Sequence, residues 1–191
     1  MAQDVVWEWC DRPGLEHLSL EIGPAAIRAR GLVLVQLGPD LLRVAYEVEL
    51  DAAWVFQRAR LTVECHGVSK RLEIERQVDG CWTVDGRERS DLAGCVDIDI
   101  MATPFTNSLP IRRLQLAPDR PVAIQAAYLR LPDLTVEAVA QDYTRLSPTR
   151  FRYRGLTSGF TAELTVDAEG LVVDYPPIWR RRSGPIGRPA G

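Results

Sequence analysis

Side chains along most of this chain alternate between apolar and polar with a period of two. A period of two puts successive side chains on opposite faces of a sheet. Residues 41 to 50 place Leu42, Val44, Tyr46, Val48 and Leu50 on one face and Arg43, Glu47 and Glu49 on the other. Residues 70 to 78 set Leu72, Ile74 and Val78 against Arg71, Glu73, Glu75 and Gln77. Both segments read as strands with one wet face. Further strands are expected near 15 to 22, 31 to 37, 54 to 65, 95 to 101, 121 to 131, 136 to 145, 149 to 155, 159 to 166 and 171 to 175, about a dozen in all. Asp79-Gly80, Asp85-Gly86 and the stretch from Asp167 to Gly170 supply the turn chemistry of short hairpins.

So many strands cannot lie flat in one small sheet. The expected fold is mainly β, an antiparallel sheet curled into a spiral roll or half-barrel. No window of a dozen residues carries an apolar stripe at helical spacing between good caps, so at most one or two short helices are allowed, near 104 to 113 or 135 to 141. With 191 residues and 46% apolar side chains, the chain can bury roughly two thirds of its unfolded surface without metal or disulfide help. It divides into a single β-roll domain over 1–182 and a flexible tail over 183–191, where patterning is lost from Trp179 onward.

Charge and composition exclude several functions. The net charge of -3 gives no global field for nucleic acid or an anionic membrane. Lys70 is the one lysine among 23 basic residues, a bias that codon usage explains, so each arginine has to be argued from its position. No run approaches a membrane span, and the amino terminus has no signal-peptide pattern, so the expected location is the cytoplasm, with no integral membrane contact. Cys10, Cys65, Cys81 and Cys95 are then thiols. They form no C-x-x-C pair, and His17 and His66 are the only imidazoles, so neither a metal site nor a cofactor is expected. Phosphate-binding glycine loops and nucleophile elbows are absent.

Two regions carry candidate site residues. In residues 54 to 65, Val55, Ala59, Leu61, Val63 and Cys65 make one face, while Trp54, Phe56, Arg58 and Arg60 share the other. Aromatic planes beside guanidinium groups suit a ligand with an apolar body and a polar head; alternatively the aromatics pack under a loop and the arginines reach water. In residues 95 to 100, Asp97 and Asp99 point the same way, about 7 Å apart on a regular strand. They suit either an acid and base pair acting on a sugar conjugate or a plain solvated strand. The loop that follows, with Pro104, Thr106, Asn107 and Pro110, fits no strand and is held in shape by prolines and short polar side chains. Arg112 and Arg113 leave it in opposite directions if a strand follows, and one of them faces Asp97 and Asp99 either as a structural clasp or as a ligand contact.

The stretch from Gly94 to Ile100 followed by Thr103 to Leu114 resembles the core signature of a bacterial glycolipid-binding family. Gly14-Leu-Glu-His-Leu, Tyr143-Thr-Arg-Leu, Phe151-Arg-Tyr-Arg, the run from Val166 to Val172 and Asp174-Tyr-Pro-Pro-Ile-Trp-Arg agree with it in order, from about Trp7 to Arg181. Ser108 stands where threonine is usual in that family and Pro177 where glycine is frequent. The resemblance implies a curved β roll, similar to carriers that shelter acyl chains, holding a lipid-like or glycolipid ligand in the concave face without catalysis. The rival reading is a small hydrolase or lyase with Asp97 and Asp99 as acid and base.

Overall fold

The computed structural model describes residues 2–183, and its strands form one sheet. Eight come first: β1 (Ala2–Trp9), β2 (Gly14–Ile22), β3 (Ala26–Leu37), β4 (Asp40–Asp51), β5 (Phe56–Cys65), β6 (Val68–Arg76), β7 (Trp82–Val84) and β8 (Arg87–Glu88). Seven follow: β9 (Cys95–Ile100), β10 (Pro121–Arg130), β11 (Thr135–Arg145), β12 (Arg150–Gly155), β13 (Thr161–Val166), β14 (Val172–Tyr175) and β15 (Trp179–Ser183). β1 to β8 form one antiparallel meander and β10 to β15 another, and β1 pairs with β15 to join them. β9 lies outside β10 and runs parallel to it. The sheet curls without closing. Its two edges meet across a seam that side chains bridge, Trp82 Nε1 donating to the Cys95 carbonyl at 3.1 Å and Arg89 to the Val136 carbonyl at 2.8 Å.

A parallel neighbour cannot be reached by a tight turn, so the chain between β9 and β10 must make a long crossover. That crossover contains the helix allowed near 104 to 113, a 3₁₀ turn over Phe105–Asn107 running into α1 (Ser108–Arg113). The other allowed helix, 135 to 141, lies within β11. Strands β1, β7, β8 and β15 were not anticipated. β7 and β8 are too short to show alternation, and β15 reads as a basic run because its arginines pair with acids: Arg180 with Asp174 at 3.3 Å, Arg181 with Asp167 at 2.6 Å, and Arg182 with Glu8. Of the tail expected at 183–191, Ser183 ends β15 and the remainder lies outside the described residues.

The candidate face of residues 54 to 65 is broken by a bulge. Leu50 pairs with Phe56 and Glu49 with Arg58, which leaves Gln57 as an extra residue and reverses the alternation. Phe56 therefore turns into the core, its ring stacked on Trp82 at 5.2 Å. Trp54 lies in the preceding turn with φ of 65°, buried, with the Arg112 guanidinium 5.0 Å from its ring. Arg58 and Arg60 stay on the convex face, 2.6 Å from Glu75 and 2.9 Å from Glu73 respectively. The four residues expected on one face are thus divided between the core and the outer surface. These outer ion pairs are partly exposed to water and contribute little to stability.

Gly31 shows how tightly the inner face is packed. A Cβ there would lie 2.1 Å from the ring of Tyr46, its partner across the β3 and β4 ladder. Gly31→Ala is expected to cost about 1–3 kcal/mol through overpacking, read as a lower urea midpoint with an unchanged slope. An unaltered midpoint would show that the Tyr46 ring is free to move.

Candidate functional site

Every residue from 102 to 111 is buried, so the crossover covers much of the concave face. The concave face that the family resemblance assigns to a lipid-like ligand is occupied there by the chain itself, in the long crossover that the parallel β9 requires. Thr103, Thr106 and Asn107 find fixed partners, whereas the buried Ser108 hydroxyl has none among the described residues. Thr103 Oγ1 accepts from the Phe105 amide at 3.0 Å and donates to Glu16 at 2.7 Å, and the Tyr46 hydroxyl also donates to Glu16. Thr106 Oγ1 accepts from the Ile100 amide at 3.3 Å and donates to Asp99 at 3.4 Å. The Tyr143 hydroxyl donates to Asn107 Oδ1 at 3.1 Å. Pro110 sits in the first turn of α1, where a missing amide hydrogen costs nothing, and its carbonyl accepts the Leu114 amide at 2.9 Å.

Asp97 and Asp99 do share a face, as the spacing requires, but their surroundings differ. Asp97 is buried and gripped by Arg113 through two bonds of 3.1 and 2.5 Å. Burial pushes its carboxyl above the usual range, while Arg113 pulls it back. Asp99 accepts from Gln141 at 2.5 Å and from Thr106, and burial raises it as well. Arg112 and Arg113 belong to the last turn of α1 rather than to a strand, and they diverge. Arg113 reaches Asp97, whereas Arg112 lies over the ring of Trp54.

Register carries the Asp99 face across the second meander. Asp99 is opposite Tyr128, Tyr143 opposite Tyr153, Tyr175 opposite Trp179 and Trp179 opposite Trp9. What the crossover leaves uncovered on this face is an open cleft of about 260 Å³, lined by Trp9, Tyr128, Tyr153, Phe160, Tyr175 and Trp179, with Asp99, Thr103, Asn107, Asp11 and Arg12 supplying polar groups. Its rings support one another, Trp9 and Trp179 at 4.4 Å and Tyr153 within 6.3 Å of both Phe160 and Tyr175. Burial and the Asp99 charge hold the Tyr153 and Tyr175 hydroxyls protonated. Arg12 sits over Trp9 at 4.9 Å and pairs with Asp11 at 3.0 Å.

The structure therefore brings Asp99 and Asn107 into one cleft, supports Asp99 with Thr106, and sets the Asp97 and Arg113 pair behind it. It leaves Trp54, Phe56, Arg58, Arg60 and Arg112 elsewhere. Sequence reasoning missed Glu16, Gln141 and all six ring-bearing residues of the cleft. A usable signal existed: Tyr153, Tyr175 and Trp179 all fall in stretches that carry the family resemblance, and Glu16 is in phase with the inward Leu18 and Leu20.

Residues 4–181 match the family described as "Putative glycolipid-binding". The chain belongs to that family. It is also similar to the crystal structure of a DUF1089 family protein from Pseudomonas aeruginosa, with 33% identity and a TM-score of 0.78, over 88% of this chain and 91% of that one. No curated protein matches the chain. The glycolipid-binding match extends over both meanders, so the aromatic cleft, the crossover and the seam all lie within it. Among the described residues no helix is long and apolar enough to cross a membrane.

Proposed function

We propose that this protein binds a glycolipid-type ligand without catalysis, taking the sugar head into the aromatic cleft of the concave face. The observation that carries this is six aromatic side chains arranged around Asp99 and Asn107 in one cleft. Aromatic faces pack against the C–H face of a pyranose ring, while a carboxylate and an amide fix its hydroxyls. The volume of about 260 Å³ lies below the roughly 300–1,000 Å³ of sites that enclose whole drug-sized ligands, so the cleft takes a ring and not an acyl chain. Tyr128 also lines a neighbouring cleft of about 370 Å³ walled in part by Ala138, Val139 and Ala140, and the hydrocarbon begins there. Four free cysteines support a reducing compartment, and the reading assigns the protein to the cytoplasm.

Isothermal titration with a panel of alkyl glycosides, together with native mass spectrometry of the purified protein, tests the reading. Tyr128→Ala is expected to weaken binding about tenfold, equivalent to about 1.4 kcal/mol, and Asp99→Asn to alter the choice among sugars more than the dependence on chain length. A protein that carries no lipid and binds no member of the panel would end the proposal. A protein that binds alkyl chains with any head, unaffected by Tyr128→Ala, would move the site elsewhere.

A further inference from the structure

We propose that Asp40, Cys65 and His66 form a Zn²⁺ site at the rim of the roll, separate from the aromatic cleft. One ligand atom from each of the three lies within 4.8 Å of the other two. Sequence spacing hides this, since Cys65 and His66 are adjacent and Asp40 is far away in the chain. The sheet assembles it. β4 begins beside the end of β5, so the β3–β4 turn and the β5–β6 turn emerge together. His66 and Gly67 both have positive φ, 49° and 76°, in a tight turn that swings the imidazole toward Asp40, where Nε2 and Oδ1 are 2.9 Å apart.

The donor set suits this ion. One thiolate, one imidazole and one carboxylate are borderline ligands of the kind zinc accepts in tetrahedral sites, at bond lengths of about 2.3 Å to sulfur and about 2.0–2.2 Å to nitrogen and oxygen. Those lengths imply ligand-to-ligand edges of roughly 3.3–3.7 Å, so the 2.9 Å His66 to Asp40 contact opens by about half an ångström and the thiol, within 4.8 Å of both, moves in by no more than about one. All three side chains sit at chain turns or strand ends, where such shifts are small. Zn²⁺ takes a bare nitrogen of the neutral His66 imidazole, whose N–H is carried on the other ring nitrogen, and displaces the Cys65 thiol proton to solvent. Three protein ligands leave the fourth position to water or an exogenous donor. Cys65 and His66 also line a surface cleft of about 450 Å³ flanked by the exposed Leu34, Leu41 and Val68.

The test is titration of the full chain, reduced with a non-thiol reductant, with Zn²⁺ followed calorimetrically and with Co²⁺ followed by absorption. One ion per chain is expected, and the Co²⁺ adduct should show a thiolate-to-metal charge-transfer band and intense tetrahedral visible bands. Cys65→Ser should abolish the charge-transfer band, Asp40→Asn and His66→Asn should each weaken binding more than about tenfold, and Cys81→Ser should change nothing. His66→Asn keeps the test decisive should Cys65→Ser fold poorly, because asparagine tolerates the same positive φ. Failure to bind one Zn²⁺, or a Co²⁺ spectrum unchanged in Cys65→Ser, overturns the proposal; the second result assigns the metal to Cys10 or Cys81.

Discussion

Wild-type protein is expected to lose stability steadily as pH rises from about 4.5 to about 8, and Glu16→Gln is expected to remove most of that slope. Glu16 is fully buried, and burial raises its carboxyl from 4.5 to about 8 in spite of hydrogen bonds from Tyr46 and Thr103. Its Oε2 has no hydrogen-bond partner among the described residues, a state that a neutral acid tolerates far better than a carboxylate. Below 4.5 the group is protonated in both folded and unfolded chains, and its contribution to stability is fully present. Above 4.5 the unfolded chain gives up its proton while the folded chain keeps it until about 8. Each pH unit in that window then costs about 1.4 kcal/mol, on the order of 5 kcal/mol across it. Urea unfolding of wild type and Glu16→Gln at pH 5 to 9 measures this directly. The curves should converge at the acid end and separate by several kcal/mol near pH 8, with the variant the more stable; parallel curves would show that Glu16 is ionised in the fold. Because Thr103 connects Glu16 to the crossover, the protection of amides in residues 102 to 111 relative to their intrinsic, base-catalysed exchange should fall with pH in wild type alone.

The alternation that announced the sheet was legible because most strands have one buried face. In β3 and β4 burial alternates almost without a break; the expected limits of β4 fall within one residue of the observed ones, while β3 begins five residues before the expected start at 31. Legibility failed where something other than alternation set the structure. A single bulge at Gln57 sent Phe56 and Arg58 to opposite faces, and no residue type in that stretch announces the extra position. β15 hid behind three consecutive arginines whose acidic partners, Asp174, Asp167 and Glu8, lie on or beside other strands of the sheet. The cleft was half visible. Asp99 and Asn107 stood out by their setting, a regular strand running into an irregular polar loop. Tyr128, Tyr153, Tyr175 and Trp9 come from four different strands, and only the pairing order of the second meander and the junction of β1 with β15 brings them together. The filled concave face had the same origin, since a parallel β9 is a matter of topology and cannot be read from the side chains of residues 95 to 100.

Arg113→Ala is expected to destabilise the protein by about 3–5 kcal/mol, the usual cost of leaving a buried charge without its partner. Asp97 is 1% exposed and Arg113 18%, so the cost is asymmetric. Asp97→Ala leaves an arginine able to turn toward water and should destabilise less, whereas replacing both residues by apolar ones of similar volume should come close to neutral. A double-mutant cycle on urea midpoints isolates the coupling. The same variants decide between the two roles the sequence left open for Arg113. The pair ties the last turn of α1 to β9, and Asp97 does not line the aromatic cleft. On a purely structural role, the apolar double variant should bind alkyl glycosides as the wild type does, since Asp99, Asn107 and the rings remain in place. If that variant folds with near-normal stability yet loses binding, Arg113 contacts the ligand, and the clasp with Asp97 is the resting position of a group that moves when the sugar arrives.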